Sequence, residues 1–127
     1  MIDLPKEAGV PEIALHTQLR PGAEADYERL HATVPADLVT ALSAAGVRDW
    51  RIWRDGTHLF HLVDVDDYHA MRDHLRDHPA NLTWQSKVGP LHDVPDDYSG
   101  ADDGVPLLWR FADQLAAAVA NPRPDSA

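Results

Sequence analysis

A tyrosine and a histidine spaced one helical turn apart are the clearest candidates for proton-transfer chemistry. Tyr27 and His31 are four positions apart, so on a helix they lie on the same face. An imidazole with an ordinary pKa of about 6.5 can give or take a proton at neutral pH. The spacing alone favours a core histidine bonded to a backbone group, because such a pair has no mechanism-specific geometry. Because its imidazole can nevertheless transfer protons at neutral pH, His31 is a candidate general acid or base, and Tyr27 is its neighbour.

Tryptophans supply the second set of candidate residues. Trp50 and Trp53 lie on opposite faces of a predicted strand, so at most one of them reaches a cavity. Trp84 is followed by Gln85, and an indole beside an amide suits the C–H faces and hydroxyls of a sugar. Tryptophan as core filler is an equally good interpretation of these residues.

The chain contains eight histidines, but their spacing argues against a metal site. His58 and His61 are three positions apart on a predicted strand, where side chains point to opposite faces. His74 and His78 lie four apart on a predicted helix, which suits a ligand pair, yet their charged neighbours indicate a solvated face. We predict no metal, and no phosphate-binding glycine loop or catalytic serine motif is present.

Composition excludes several functional classes. The 127 residues include 21 acidic and 11 basic side chains, giving a net charge of −10, which argues against nucleic acid as a partner. The absence of cysteine removes thiol nucleophiles and disulfides. No signal-peptide pattern is recognised at the N-terminus, and no apolar run reaches the ~18 residues of a membrane span. We therefore expect a cytoplasmic protein without membrane contacts.

A strand and a long helix are predicted first along the chain. Alternating apolar residues predict a strand over 12–19, and apolar residues at steps of three and four predict a helix over 23–45. Pro35 interrupts this helix, so we expect a kink or two short helices. Gly46 is placed to end it.

A hairpin and a second helix follow. Two β-rich runs, 47–54 and 57–65, flank Asp55-Gly56, the strongest short signal for a β-hairpin. Apolar residues sharing one face predict a helix over 67–78, with Asp66 as its N-cap.

The C-terminal part is predicted to be less regular. Pro79 precedes a short predicted helix over 80–88, and 92–106 form an irregular acidic arm without Lys or Arg. A last element within 105–119 begins like a strand and continues with a helical stripe. The predicted organisation is a lead-in over 1–10, one domain over 11–119 and a frayed tail over 120–127.

The order of elements predicts a ferredoxin-like α+β sandwich with βαββαβ topology. Helices would cover one face of the sheet, while the other would carry His16 and Gln18 among further histidines and tryptophans. That mixed face is too large to lie comfortably in water, and a second subunit would cover it. We therefore expect a homodimer, a dimeric α+β barrel with a cavity in each subunit.

Several of these motifs, in this order and spacing, resemble the L-rhamnose mutarotase family. The likeness covers about residues 12 to 92. Its anchor is Tyr27-x-x-x-His31 combined with the later Trp84. The motifs that carry it are Arg20-Pro21-Gly22, Tyr27-x-x-x-His31, Pro35-Ala-Asp-Leu38, Gly46-Val-Arg-Asp-Trp50-Arg-Ile52, Gly56-Thr-His-Leu59-Phe60 and Asn81-Leu-Thr-Trp84-Gln85.

The resemblance implies a dimeric isomerase that interconverts the α and β anomers of L-rhamnose or a related 6-deoxy sugar, with no metal or organic cofactor. The family's proton-transferring histidine matches His31, and its sugar-contacting tyrosine matches Tyr27. A family tyrosine falls at Trp50, and a family Trp-Trp pair falls at Trp84-Gln85. The resemblance thus predicts His31 as catalytic and the other four as substrate-binding.

Two other functions stay open from the sequence. A cofactor-independent monooxygenase on the same fold would also use His, Trp and Asn beside a sheet-lined cavity, and fold alone does not separate them. A non-catalytic sugar-binding module is the third hypothesis. It is suggested by Val34 and Gln85, which stand where the family has tryptophans.

Overall fold

The computed structural model describes residues 12–94 and 103–120 of the chain. In these residues three strands form one antiparallel sheet, and none of the helices is long and apolar enough to span a bilayer. The elements are β1 (Glu12–Gln18), α1 (Glu24–His31), α2 (Ala36–Ala44), β2 (Val47–Asp55), β3 (His58–Val65), α3 (Tyr68–Arg76), α4 (Pro79–Val88), a 3-10 turn (Gly89–Leu91) and α5 (Phe111–Ala120).

The sheet has the order β1-β3-β2, so β3 lies in its centre. The predicted hairpin is confirmed, with one difference in its turn. Asp55 pairs with His58, which places Gly56-Thr57 at the tip, one residue later than predicted. Gly56 has a φ of +60°, a conformation that glycine adopts at little cost.

The two faces of the sheet differ in burial. On one face Leu59 and Val63 are fully buried, where they pack against the first four helices. On the other face Trp53 is 51 % exposed and Phe60 is 46 % exposed. The described residues therefore cover one face of the sheet and leave the other open, where these two aromatic side chains lie among exposed polar and charged ones.

The ends of the helices follow from single residues. Pro35 separates α1 from α2, so the predicted long helix is two short helices. Gly46, with a φ of +98°, follows the end of α2 as predicted. The predicted cap of α3 is wrong by one residue: the Asp67 carboxylate, not that of Asp66, accepts the Ala70 backbone N–H at 3.0 Å. A cap must reach two or three residues into the helix, and α3 begins only at Tyr68.

The last element forms a helix after a single bridge. Val105 forms an isolated antiparallel bridge with Ala14 at the outer edge of β1, where a fourth strand would complete the sheet. Gly104 lets the chain come this close, because a Cβ there would lie 2.5 Å from the Ile13 side chain. The strand predicted at the start of this element is therefore reduced to one bridge. The helical stripe continues as α5, whose residues are all exposed.

Part of the predicted organisation lies outside the described residues. This applies to the lead-in over 1–10, most of the acidic arm and the end of the chain after residue 120. The proposed domain limits accordingly stay predictions.

Candidate functional site

A cavity of about 910 Å³ lies between the buried face of the sheet and the helices that cover it. All the residues predicted to form the site line this one cavity. The structure therefore brings together side chains from α1, β2 and α4 that are far apart in sequence. The predicted residues are Tyr27, His31, Trp50, Trp84 and Gln85.

His31 lies at the C-terminal end of α1 with its protonation pattern set by the helix itself. Its Nδ1 lies 2.9 Å from the backbone carbonyl of Tyr27, one turn earlier. A carbonyl oxygen only accepts, so Nδ1 carries the proton and donates it, which leaves the lone pair of Nε2 as a base. The backbone hydrogen bond expected of a core histidine is thus present, and the same bond leaves Nε2 as the ring nitrogen that can accept a proton.

Burial lowers the pKa of His31 below its ordinary value, because the charged imidazolium loses hydration. The hydrogen bond to the Tyr27 carbonyl opposes this effect, and the positive charge of nearby His92 adds to it. His31 is therefore neutral at pH 7, the form in which Nε2 can accept a proton.

Aromatic rings enclose His31 on two sides. The Tyr27 ring lies 4.1 Å from it, centroid to centroid, and the Trp84 indole meets it edge-on at 5.0 Å. Tyr27 and Trp84 are 5 % and 9 % exposed and belong to one apolar cluster, which holds α1 against α4. His92 packs edge-on against the other side of Tyr27, at 5.8 Å. The imidazole of His31 therefore lies between two aromatic rings, those of Tyr27 and Trp84.

Helix α4 supplies polar groups to the same cavity. His78 caps its start by accepting the Ala80 N–H, and Pro79 occupies the first turn, where a missing N–H costs nothing. The buried Asn81 donates through Nδ2 to the Leu75 carbonyl at 3.1 Å. Gln85, one turn later, approaches the Asn81 Oδ1 at 3.5 Å. An amide pair and Trp84 therefore line the same cavity from one helix.

The sheet contributes Trp50 from β2. Its indole N–H donates to Nδ1 of His61 at 3.1 Å, and its ring is partly buried in the cavity wall. Trp53 lies on the opposite, half-exposed face of the sheet. The prediction that at most one of these two tryptophans reaches the cavity is confirmed.

Sequence reasoning missed several polar residues that line the cavity, among them Thr17, His61, Asn81 and His92. The sequence does contain a signal for His61, because it lies two positions from both Leu59 and Val63 and so shares their buried face of β3. Nothing in the local sequence indicates His92. It is buried because the chain after α4 returns to form a bridge with Leu19.

In residues 12–94 and 103–120, no group of three or more His, Cys, Asp or Glu side chains is arranged to hold a metal ion. His74 and His78, the pair with ligand spacing, have ring centroids 5.8 Å apart, and His74 is exposed.

A family model and the curated relatives that match this chain agree on one family. The family model described as L-rhamnose mutarotase matches residues 12–110. An L-rhamnose mutarotase of Paraburkholderia phytofirmans is 36 % identical over 86 residues, which cover 66 % of this chain and 80 % of the relative. One from Verminephrobacter eiseniae is 32 % identical over 102 residues, covering 79 % and 95 %.

The fold agrees with this match. The crystal structure of an L-rhamnose mutarotase from Formosa agariphila superposes with a TM-score of 0.64 at 19 % identity, covering 79 % of this chain and 97 % of that one. At that identity the superposition shows the shared fold alone. Since the family model matches most of the chain, and relatives at more than 30 % identity are covered over most of their length, the chain belongs to the L-rhamnose mutarotase family.

Proposed function

We propose that this protein is an aldose mutarotase that interconverts the α and β anomers of L-rhamnose or a closely related 6-deoxy sugar. The observation that carries the proposal is His31, neutral and with Nε2 unprotonated, in an aromatic cavity of a chain from this family. The family match also favours this isomerase over a cofactor-independent monooxygenase.

The reaction passes through the open-chain sugar and moves only protons. The anomeric hydroxyl loses a proton as the ring oxygen gains one, and the bond between the anomeric carbon and the ring oxygen breaks. Rotation of the aldehyde then lets the hydroxyl that was the ring oxygen attack the other face of the carbonyl, which closes the ring as the other anomer. In the proposed reaction Nε2 of His31 takes the anomeric proton, and Tyr27, whose ring packs against His31, is the neighbouring group whose hydroxyl can supply one to the ring oxygen.

Substrate binding is proposed for the remaining predicted residues. Sugars present C–H faces that pack on indole rings, which suits Trp84 and Trp50. The Gln85 amide beside Asn81 suits the sugar hydroxyls, because an amide both donates and accepts. These assignments predict a preference for a pyranose over an acyclic or aromatic ligand.

The test is saturation-transfer NMR between the anomeric protons of L-rhamnose, with L-fucose as a second sugar. We expect the protein to accelerate exchange, and His31→Asn to reduce this acceleration by about 10²-fold or more, the usual contribution of a general base. His74→Asn, the same change at an exposed histidine outside the cavity, serves as the control. Equal activity of parent and His31→Asn, or no acceleration with either sugar, contradicts the proposal.

We also propose a homodimer, supported by the face of the sheet that the described residues leave open. Trp53 and Phe60 are about half exposed there, and a partner that covers this mixed face would bury both rings. A role in sugar metabolism supports the predicted cytoplasmic location, which cell fractionation would test.

A further inference from the structure

A row of three hydrogen-bonded side chains crosses the buried face of the sheet, which forms one wall of the cavity. The indole N–H of Trp50 lies 3.1 Å from Nδ1 of His61, and Nε2 of His61 lies 3.0 Å from the hydroxyl of Thr17. Each residue comes from a different strand, and all three line the cavity. His61 is only 8 % exposed, so its hydrogen bonds are made away from bulk water.

The direction of these bonds follows from the chemistry of the groups. An indole N–H only donates, so Nδ1 of His61 accepts and carries no proton. The single N–H of the neutral imidazole is then on Nε2, and it donates to the Thr17 oxygen. The Thr17 hydroxyl accepts this bond with its oxygen, which leaves its own proton to be donated to another acceptor.

We propose that His61 is a positioning residue that makes the Thr17 hydroxyl a hydrogen-bond donor to an oxygen of the bound sugar, while holding the Trp50 indole in the cavity wall. This inference rests on the proposed mutarotase function and adds a specificity determinant to it. A hydroxyl that is directed to donate leaves an unpaired polar group whenever the ligand lacks an oxygen at that position, so such ligands are rejected.

The three hydrogen-bonded side chains lie on the sheet side of the cavity, while His31 and Tyr27 come from a helix that covers the sheet. His61 and Thr17 therefore act on binding of the sugar and not on proton transfer. Their loss raises KM and leaves kcat nearly unchanged, which is the kinetic signature of lost uniform binding. Loss of folding would instead lower the amount of active protein and the melting temperature.

The kinetic test compares substitutions that remove or keep the hydrogen bonds. Thr17→Val should raise the KM for L-rhamnose about tenfold, whereas Thr17→Ser, which keeps the hydroxyl, should recover most of that loss. His61→Leu should resemble Thr17→Val, and His61→Gln, whose amide can accept and donate, should be milder. Thr40→Val, at an exposed threonine on α2, is the matched control.

Because His61 acts through Thr17, the double variant Thr17→Val/His61→Leu should raise KM no more than the worse single variant. Additive effects, a fall in kcat at constant KM, or a Thr17→Ser variant as impaired as Thr17→Val would overturn the inference.

A second measurement separates this inference from the proposed function. The ring-nitrogen NMR shifts of His61 in the parent protein should show a protonated Nε2 and an unprotonated Nδ1, and His61→Leu should shift the Trp50 indole N–H signal. The opposite tautomer overturns the inference even if the parent is an active mutarotase. An inactive parent with the expected tautomer refutes the proposed function instead.

Discussion

At the scale of single residues, the position of one proton on His31 determines what the site can do. The helical carbonyl of Tyr27 holds Nδ1 as a donor, and burial disfavours a second proton on the ring. A base that is neutral and oriented before the substrate arrives needs no rearrangement during the reaction. The local sequence contains both residues of this arrangement, which is why it could be predicted as a candidate.

The pH dependence of activity follows from the lowered pKa of His31. Since the base form is needed, kcat/KM should be constant at neutral pH and fall only below the ordinary histidine pKa of about 6.5. The charge of His92 contributes to the lowering, so His92→Gln should move this inflection to higher pH. His74→Gln, at an exposed position, should leave the inflection in place. An inflection above the ordinary value in the parent would contradict the assignment of His31 as the base.

Residues that depend on distant parts of the chain could not be predicted in this way. His92 reaches the cavity only because the turn after α4 places it beside Leu19, which lies 73 positions earlier in the sequence. His61 could have been placed on the buried face by its alternation with apolar neighbours, but its hydrogen bonds run to two other strands. Periodicity assigns a residue to a face, whereas its partners depend on strand order and register.

At the scale of elements, the sequence predicts which helices and strands exist better than it predicts the residues at which they begin and end. The hairpin, the break at Pro35 and the short helix after Pro79 all follow from backbone chemistry that is local to a few residues. The type of the last element, within 105–119, is harder to predict, because a short apolar run suits either a strand or a helix. A fourth strand needs pairing along β1, and the described chain forms only the bridge at Val105.

The corrected N-cap of α3 gives a stability prediction. Asp67→Ala removes the acceptor of the Ala70 N–H and should lower the free energy of unfolding by about 1 kcal/mol. Asp66→Ala removes a solvent-exposed ion pair with Arg48 and should lower the free energy of unfolding by less than Asp67→Ala does. Urea denaturation with an unchanged m-value provides the measurement. A larger loss for Asp66→Ala than for Asp67→Ala would show that Asp66 is the cap after all.

At the scale of the whole molecule, the open face of the sheet is the main feature that the described chain does not explain. Phe60 and Trp53 lie there on neighbouring strands and pair in the register of the hairpin. The exposed helix α5 adds further apolar surface, and a helix of ten residues is marginal in water without packing. Both features are accounted for if a second copy covers them.

Charge placed on that face should therefore dissociate the protein. We expect the parent to sediment as a dimer and Phe60→Glu to sediment as a monomer, because burying an unpaired carboxylate weakens association by several kcal/mol, or about 10²-fold or more in Kd. Leu82→Glu, at a leucine of α4 that is 53 % exposed, introduces the same charge on another surface and should stay dimeric. Sedimentation velocity over a range of protein concentrations distinguishes the species. A monomeric parent, or a Phe60→Glu variant that dimerises like the parent, would place the partner elsewhere, and the face would then need a different explanation.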